Sequence, residues 1–360
     1  MIDRIVIENY KSIRKIDFEL KPINIFIGAN GAGKSNFLSF FELLKNLFQG
    51  NLAFYLGNNI NSFLYFGRKS SKYIYALVDL DNKNATHFYI APSFHSNTGY
   101  IRELGVRVNP NGKKEYSDWP LVYEEKEYPE SRLYSLEDPA GAEILDHFDN
   151  FRIHHFQDVT ESARIKLPSK INDNRYLREN GGNLAAFLYF LQEKHPKEFK
   201  SIERQIHSVA PFFDRFDLEP DRLNTEQVEL RWREKGSSDD FSAFDISDGT
   251  LRFIALTTLF LQPDLPRTII IDEPELGLHP FAINKLAAMI EQATKKGSQI
   301  IISTQSIELI NNFGPEDVIA VDREDNQSVF KRLEPEKLEA WLEDYTLGEL
   351  WSKNLLGAMP

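Results

Sequence analysis

Cysteine is absent from the 360-residue chain, so neither a disulfide framework nor a thiolate metal site can be built. No apolar run reaches the length of a bilayer-crossing helix, and the N-terminus lacks the pattern of a secretory leader. No membrane contact is expected, and the cytoplasm is the expected address. Positive charge is in deficit: 42 Lys and Arg against 54 Asp and Glu leave a net charge of −12. That argues against broad electrostatic coating of nucleic acid but leaves room for a local patch. The basic stretches Arg164, Lys166, Lys170, Arg175, Arg178 and Arg102, Arg107, Lys113, Lys114 read as solvated faces or as nucleic-acid contacts. A G-x-S-x-G elbow, an HExxH helix, a sustained heptad and internal repeats are also missing. With 42% hydrophobic and 27% charged residues, what remains is a globular chain able to bury a sizeable core.

What is present begins with Gly28-Ala29-Asn30-Gly31-Ala32-Gly33-Lys34-Ser35, which fits the phosphate-loop pattern G-x-x-x-x-G-K-[ST]. Ile23-Asn24-Ile25-Phe26-Ile27 before it reads as a buried strand. Phe37, Leu38, Phe41, Leu44, Leu47 and Phe48 after it are apolar at helical spacing. Glycines let backbone N–H groups point at phosphate oxygens, and the helix aims its positive end at the same anion. Asn30, Gly31, Gly33, Lys34, Ser35 and Asn36 are the expected nucleotide contacts, with Ser35 also on Mg²⁺.

Along the chain, residues 2–8 and 15–20 read as a hairpin whose turn holds Tyr10, Lys11 and Ser12. Lys11 or Arg14 reads either as a nucleotide contact or as part of a solvated turn. Residues 51–135 are rich in Tyr, Phe, Asn and Gly and suggest an antiparallel β-meander, its aromatics packing the sheet or stacking on bases. Residues 160–245 read as a mostly helical lobe, with Asn183 as a helix N-cap. Beyond residue 245, helices alternate with the β-branched runs 268–272 and 299–303, the signal of a parallel sheet covered on both faces. The fold class is therefore α/β. Residues 1–50 would supply the first strands and the phosphate loop, 246–334 the remaining motifs, and 335–360 a C-terminal helix.

The distant partner of the loop is Ile269-Ile270-Ile271-Asp272-Glu273-Pro274, an apolar strand ending in two acids, the Walker B arrangement. Asp272 would bind Mg²⁺, and Glu273 would orient and deprotonate the attacking water. Two acids at a buried strand end are costly without a cation. Ser247-Asp248-Gly249-Thr250 precedes a helix, and reads as an anion-binding helix start or as an ordinary N-cap.

The run DEPELGLHP, with Ile7-Glu8-Asn9-Tyr10-Lys11-Ser12-Ile13 at the start, resembles the ABC-type ATPase heads of the RecF, SMC and OLD group. The stretches DNRYLRENGGNLAAFLYFL, VAPFFDRFDLEP, LRWREKGS, FSAFDISDGTLRFIAL and LEAWLEDYTLGELWSKNLLG are closer still to the RecF-like "predicted ATPase" family. The resemblance covers almost the whole chain and implies one ABC-type head, 1–360, with an antiparallel β lobe and an inserted helical lobe. It implies ATP and Mg²⁺ as cofactors and a nucleotide-sandwich homodimer. In that dimer Ser247 and Gly249 of one subunit cap the triphosphate on the other's loop, with Asp248 pointing away. Gln305, in Ser303-Thr304-Gln305-Ser306, stands where such heads usually carry a switch histidine; a Gln amide can donate to the γ-phosphate but cannot titrate. A strand-end cap is the other reading of Gln305. Gln157 is the candidate for the glutamine that links Mg²⁺ to the moving lobe. His154 and His155 read as structural. His279 reads as a local cap or a contact with the opposite subunit.

The resemblance further implies coupling of the ATP cycle to nucleic acid or to an effector protein, in DNA repair or in defence against phage and plasmids. The alternative is a low-turnover, ATP-gated scaffold for a separately encoded nuclease or toxin. The residues after the switch are too few for the TOPRIM nuclease domain of the OLD group, and acids such as Asp322, Glu324 and Asp325 read as a solvated turn. A transporter ATPase would need a membrane partner, and the RecF-like opening and the meander speak against it.

Overall fold

A computed structural model describes residues 1–93, 97–109, 120–133 and 139–358. The chain forms two compact units, Met1–Phe151 with Gly314–Pro360, and Arg152–Phe313.

The first unit is built round the helix Lys34–Phe48. It buries Phe37, Leu38, Phe40, Phe41, Leu43, Leu44, Leu47 and Phe48, most of its circumference, so it has to lie between two layers. On one side Phe37 packs on Phe26 of the strand Ile23–Ile27, ring centres 4.5 Å apart. On the other, Phe40 stacks on Phe88 at 6.3 Å. Phe88 belongs to a six-stranded antiparallel sheet in the spatial order Ile13–Glu19, Ile2–Tyr10, Ile74–Leu80, Asn84–Pro92, Gly99–Val108, Leu121–Tyr128. The expected hairpin and meander are thus one sheet, with Val6 opposite Leu77. Its tyrosines pack on one another, Tyr75 on Tyr89 at 4.6 Å and Tyr73 on Tyr89 at 5.4 Å. The start of the expected meander is helical instead, at Leu52–Leu56 and Gly67–Ser70. The first of these is fixed by Glu130, whose carboxylate accepts the N–H groups of Leu52 and Ala53.

The strand Ile23–Ile27 runs parallel to Val318–Glu324, which forms a hairpin with Gln327–Arg332. Asp325 and Asn326 turn that hairpin with φ of 48° and 63°, the left-handed values a tight hairpin needs, and the acids 322, 324 and 325 are exposed on it. The C-terminal segment holds two helices, Pro335–Leu342 and Leu347–Ser352.

In the second unit the strands Thr268–Asp272 and Gln299–Thr304 are parallel, with Ile269–Ile271 opposite Ile300–Ile302 and Asp272 opposite Ser303. The helices Asp248–Leu261 and Pro280–Lys295 follow the expected alternation. Residues 160–245 are mixed rather than mostly helical. Beside the helices Leu184–Lys194 and Pro196–Val209 they hold a three-stranded sheet of Phe213–Phe216, Arg231–Glu234 and Asp240–Ser242. Trp232 points inward and stacks on Phe213, while Arg231 and Arg233 point out to Asp240 and Asp217. An alternation of three or four residues is too short to register as a strand in sequence. Asn183 sits at the expected helix start but makes no cap bond. Its Oδ1 accepts from the Arg178 N–H and its amide donates to the Asp173 and Tyr176 carbonyls, so it fastens the preceding loop instead.

Two loop glycines differ in what a side chain would meet. A Cβ on Gly28, at φ +150°, would lie 2.2 Å from the Val321 carbonyl oxygen, whereas one on Gly31, at φ +80°, meets nothing within 4 Å. Gly28→Ala is expected to lower unfolding stability by about 1–3 kcal/mol beyond any loss in Gly31→Ala. Urea titration of both variants measures this, and equal midpoints would show that the loop leaves Val321.

Candidate functional site

In the first unit the helix Lys34–Phe48 starts on Gly33, with no side-chain cap and no acid in its first turn. Its leading N–H groups and positive dipole end therefore suit an anion. Asn30, Gly31 and Ser35 are exposed beside that end, whereas Lys34 is 5% exposed. Lys34 Nζ donates to the carbonyls of Gly28 at 2.5 Å and Ala29 at 3.2 Å, which folds the ammonium against its own loop. Asn36 belongs to a relay that braces the loop. Its amide donates to Ser12 Oγ at 2.7 Å, Ser12 and Ser328 hydroxyls are 2.7 Å apart, and Ser328 Oγ donates to the Ala32 carbonyl at 2.5 Å. A Cβ on Gly33 would lie 2.0 Å from that Ser328 hydroxyl, so the glycine is needed for the brace to close. Lys11 is not in a solvated turn. It donates to Ser39 Oγ at 2.7 Å, lies over the Tyr10 and Phe63 rings, and burial lowers its pKa. Arg14 is exposed.

In the second unit the acids at the end of Thr268–Asp272 meet donors from the neighbouring strand end. Asp272 Oδ1 accepts from the Ser303 hydroxyl, and Glu273 Oε1 accepts from the Gln305 amide. Glu273 has φ +46°, an uncommon left-handed conformation for a side-chain-bearing residue, and its N–H donates to the Ser303 carbonyl at 2.9 Å. Gln157 donates its side-chain amide to the Asp272 carbonyl at 3.3 Å, and Gln157, Arg252, Asp272 and Glu273 line one small cleft. Sequence-expected residues Gln157, Asp272, Glu273 and Gln305 are thus brought together. Among the described residues no group of three or more His, Asp or Glu side chains is arranged as a metal cage. Mg²⁺ does not need one, since it is commonly held by one or two carboxylates with water and phosphate oxygens.

Ser247 caps the helix Asp248–Leu261 by accepting the Thr250 N–H, so the N-cap reading of this tetrapeptide is realised in the fold. Asp248 is drawn sideways to Lys166 Nζ at 3.2 Å, and Arg178 pairs with Asp173 at 2.8 Å, so part of the first basic stretch serves internal ion pairs. Lys113 and Lys114 of the second stretch lie outside the described residues. His154 is fully buried and packs on the Phe156 ring, as a structural histidine does. His279 caps the helix Pro280–Lys295, its Nδ1 accepting from Phe281 N–H at 3.2 Å.

Three contributors escaped the sequence reading. Ser328 braces the phosphate loop. Arg252 donates to the carbonyls of Phe156, Gln157 and Leu276. Glu275 is buried, and its Oε1 accepts from Thr304 Oγ1 at 2.5 Å and from the Gln305 N–H at 3.2 Å. Backbone carbonyls leave no mark in a sequence, so the partners of Arg252 and the Ala32 partner of Ser328 had no signal. Glu275 had one, its place in DEPELGLHP beside the two strand-end acids.

A model of the family described as "AAA domain, putative AbiEii toxin, Type IV TA system" matches residues 23–311. The chain is similar to the Old nuclease of Escherichia phage P2, 25% identical over 197 residues, which are 51% of this chain and 33% of that protein. It is similar to the energy-coupling factor transporter ATP-binding protein EcfA of Methanocaldococcus jannaschii, 32% identical over 95 residues, 24% of this chain and 33% of that protein. The chain therefore spans about a third of the length of these curated relatives. A solved SMC head bound to the C-winged-helix domain of ScpA matches with a TM-score of 0.62 at 18% identity, over 94% of this chain and 99% of that one. The fold is that of an ABC-type P-loop ATPase head.

Burial raises the pKa of Glu275 above its ordinary 4.5. The folded state then holds the proton more tightly than the unfolded one. This contribution to stability is complete below pH 4.5 and is lost as pH rises through the folded value. Glu275→Gln removes the titration, so its urea midpoint is expected to gain on the wild type between pH 4.5 and 8. Parallel pH profiles for the two proteins would mean that Glu275 stays ionised in both states.

Proposed function

The chain belongs to the AAA-domain family matched over residues 23–311, and on that footing we propose that it works as one ABC-type head, 1–360, that binds and slowly hydrolyses Mg²⁺-ATP and pairs with a second copy in step with that cycle. The observation that carries this reading is the clustering of Gln157, Asp272, Glu273 and Gln305 at one strand end.

The loop N–H groups and the uncapped helix start receive the phosphates, and Lys34 exchanges the Gly28 and Ala29 carbonyls for phosphate oxygens. Ser35 and Asp272 are the residues that would hold Mg²⁺, with Gln157 beside Asp272. When bound, the metal neutralises charge on the transferred phosphoryl group. Glu273 orients the attacking water and takes its proton. Gln305 holds the Glu273 carboxylate and senses the γ-phosphate with the same amide. Ser247 and Gly249 act on the triphosphate of the second copy, with Asp248 turned to Lys166 and away from it.

The partner reading is nucleic acid or an effector protein, in DNA repair or in defence against phage and plasmids. It is supported by the likeness to the Old nuclease and by the toxin–antitoxin wording of the family description. The hydrogen bond between Gln305 and Glu273 favours a second reading, a low-turnover scaffold for a separately encoded nuclease or toxin, because the base is engaged by its neighbour.

Lys34→Ala is expected to lose ATP binding, measured with a fluorescent ATP analogue. Glu273→Gln is expected to keep binding while turnover falls by roughly 10²–10⁴. Phosphate release assays with and without a short DNA duplex check both readings. Wild-type turnover in Glu273→Gln would remove Glu273 from its role, and a duplex that changes neither rate nor affinity would turn the search to effector proteins.

A further inference from the structure

Three ties converge on the turn Glu275-Leu276-Gly277. Arg252, in the first turns of the helix Asp248–Leu261, donates Nε to the Phe156 carbonyl at 3.1 Å, Nη2 to that of Gln157 at 2.7 Å and Nη1 to that of Leu276 at 2.8 Å. A planar guanidinium can serve three fixed carbonyls at once, whereas a lysine ammonium is a single point donor on a flexible stem. Gly249 presses on the same turn: a Cβ there would lie 2.3 Å from the Gly277 carbonyl oxygen. A Cβ on Gly277 would in turn lie 2.7 Å from Arg252 Nη1.

The third tie leaves the turn in the opposite direction. Glu275 accepts from Thr304 Oγ1 and from the Gln305 N–H through one carboxyl oxygen, while its buried Oε2 has no hydrogen-bond partner among the described residues. Half-satisfied carboxyls in the interior are costly. The satisfied oxygen accepts from residues 304 and 305, and Gln305 carries the amide that holds Glu273.

We propose that Arg252 and Glu275 are positioning residues that make the turn 275–277 a hub, so that the start of the helix Asp248–Leu261, Gln157 and Gln305 shift together. This rests on the reading of the chain as a nucleotide-driven head. A second copy that engages Ser247 and Gly249 pulls on Arg252 and Gly277. The movement reaches Glu275 through the turn and draws the Gln305 amide off Glu273. The water-activating carboxylate is released when the copies pair. The network is contiguous at each step, which is the physical requirement for such coupling.

The test is residue-resolved amide hydrogen exchange of the full chain without nucleotide. Glu275→Ala removes the acceptor of the Gln305 N–H and should speed its exchange. Arg252→Ala should speed the same amide by on the order of tenfold, although the Arg252 guanidinium donates to the carbonyls of residues 156, 157 and 276. Arg252→Lys should act in the same direction. Glu275→Gln keeps an acceptor oxygen and should restore protection. Unchanged protection of the strand Thr268–Asp272 reports an intact fold, and Arg252→Lys carries the test if Arg252→Ala fails that check. Gln305 exchanging at the wild-type rate in the Arg252 variants would overturn the hub. In the ATP arm, turnover of Arg252→Ala should fall on the order of tenfold with nucleotide affinity unchanged. Coupled exchange in a chain without ATPase activity would keep the hub and remove the nucleotide-head reading. Uncoupled exchange in an active ATPase would remove the hub alone.

Discussion

The strand Thr268–Asp272 leads from an interior where Ile269, Ile270 and Ile271 are at most 1% exposed to a run of carboxylates at positions 272, 273 and 275. Three acids at the mouth of an apolar layer repel one another and lose hydration, so their geometry depends on donors being delivered to them. The parallel register supplies those donors. Asp272 lies opposite Ser303, and the residues that follow, Thr304 and Gln305, reach Glu275 and Glu273 in turn. A slip of one residue would turn each donor to the other face and leave the acids unpaired. The β-branched runs that fix this register are therefore as necessary to the site as the acids themselves.

The phosphate loop obeys a related constraint from the other direction. Its anion-binding end requires backbone N–H groups left uncapped, and an uncapped loop has little to hold its own shape. Shape is imposed from residues remote in sequence: the Val321 carbonyl excludes any side chain at Gly28, and the Ser12–Ser328 pair grips Ala32. The aromatic wedge of Phe37 and Phe40 then sets the helix that carries Lys34 and Ser35. Lys34 satisfies loop carbonyls while keeping its charge beside the helix start.

Most of the fold was legible where the pattern is local. The strand and helix on either side of the glycine-rich loop, the parallel strands at 268 and 299 and the helix starting after Ser247 all read correctly, since each depends on residues close together in sequence. The three-stranded sheet round Trp232 was not legible, because strands of three or four residues give too little alternation to separate from loop. Asn183 looked like a cap, since an Asn before an apolar run is a good one; its side chain found three backbone partners in the loop before the helix instead. Arg252 could not have been found, because what it binds is backbone, and the partners of Ser328, the Ser12 hydroxyl and the Ala32 carbonyl, lie about 300 residues away in sequence.

Under the proposed function, ATP closes two copies of this chain on one another. Light scattering of Glu273→Gln, with Mg²⁺-ATP and with Mg²⁺-ADP, measures that directly. The expected result is a monomer mass with ADP and a doubled mass with ATP. A protein fully loaded with ATP that keeps its monomer mass, or one that is dimeric whatever nucleotide is present, would contradict it.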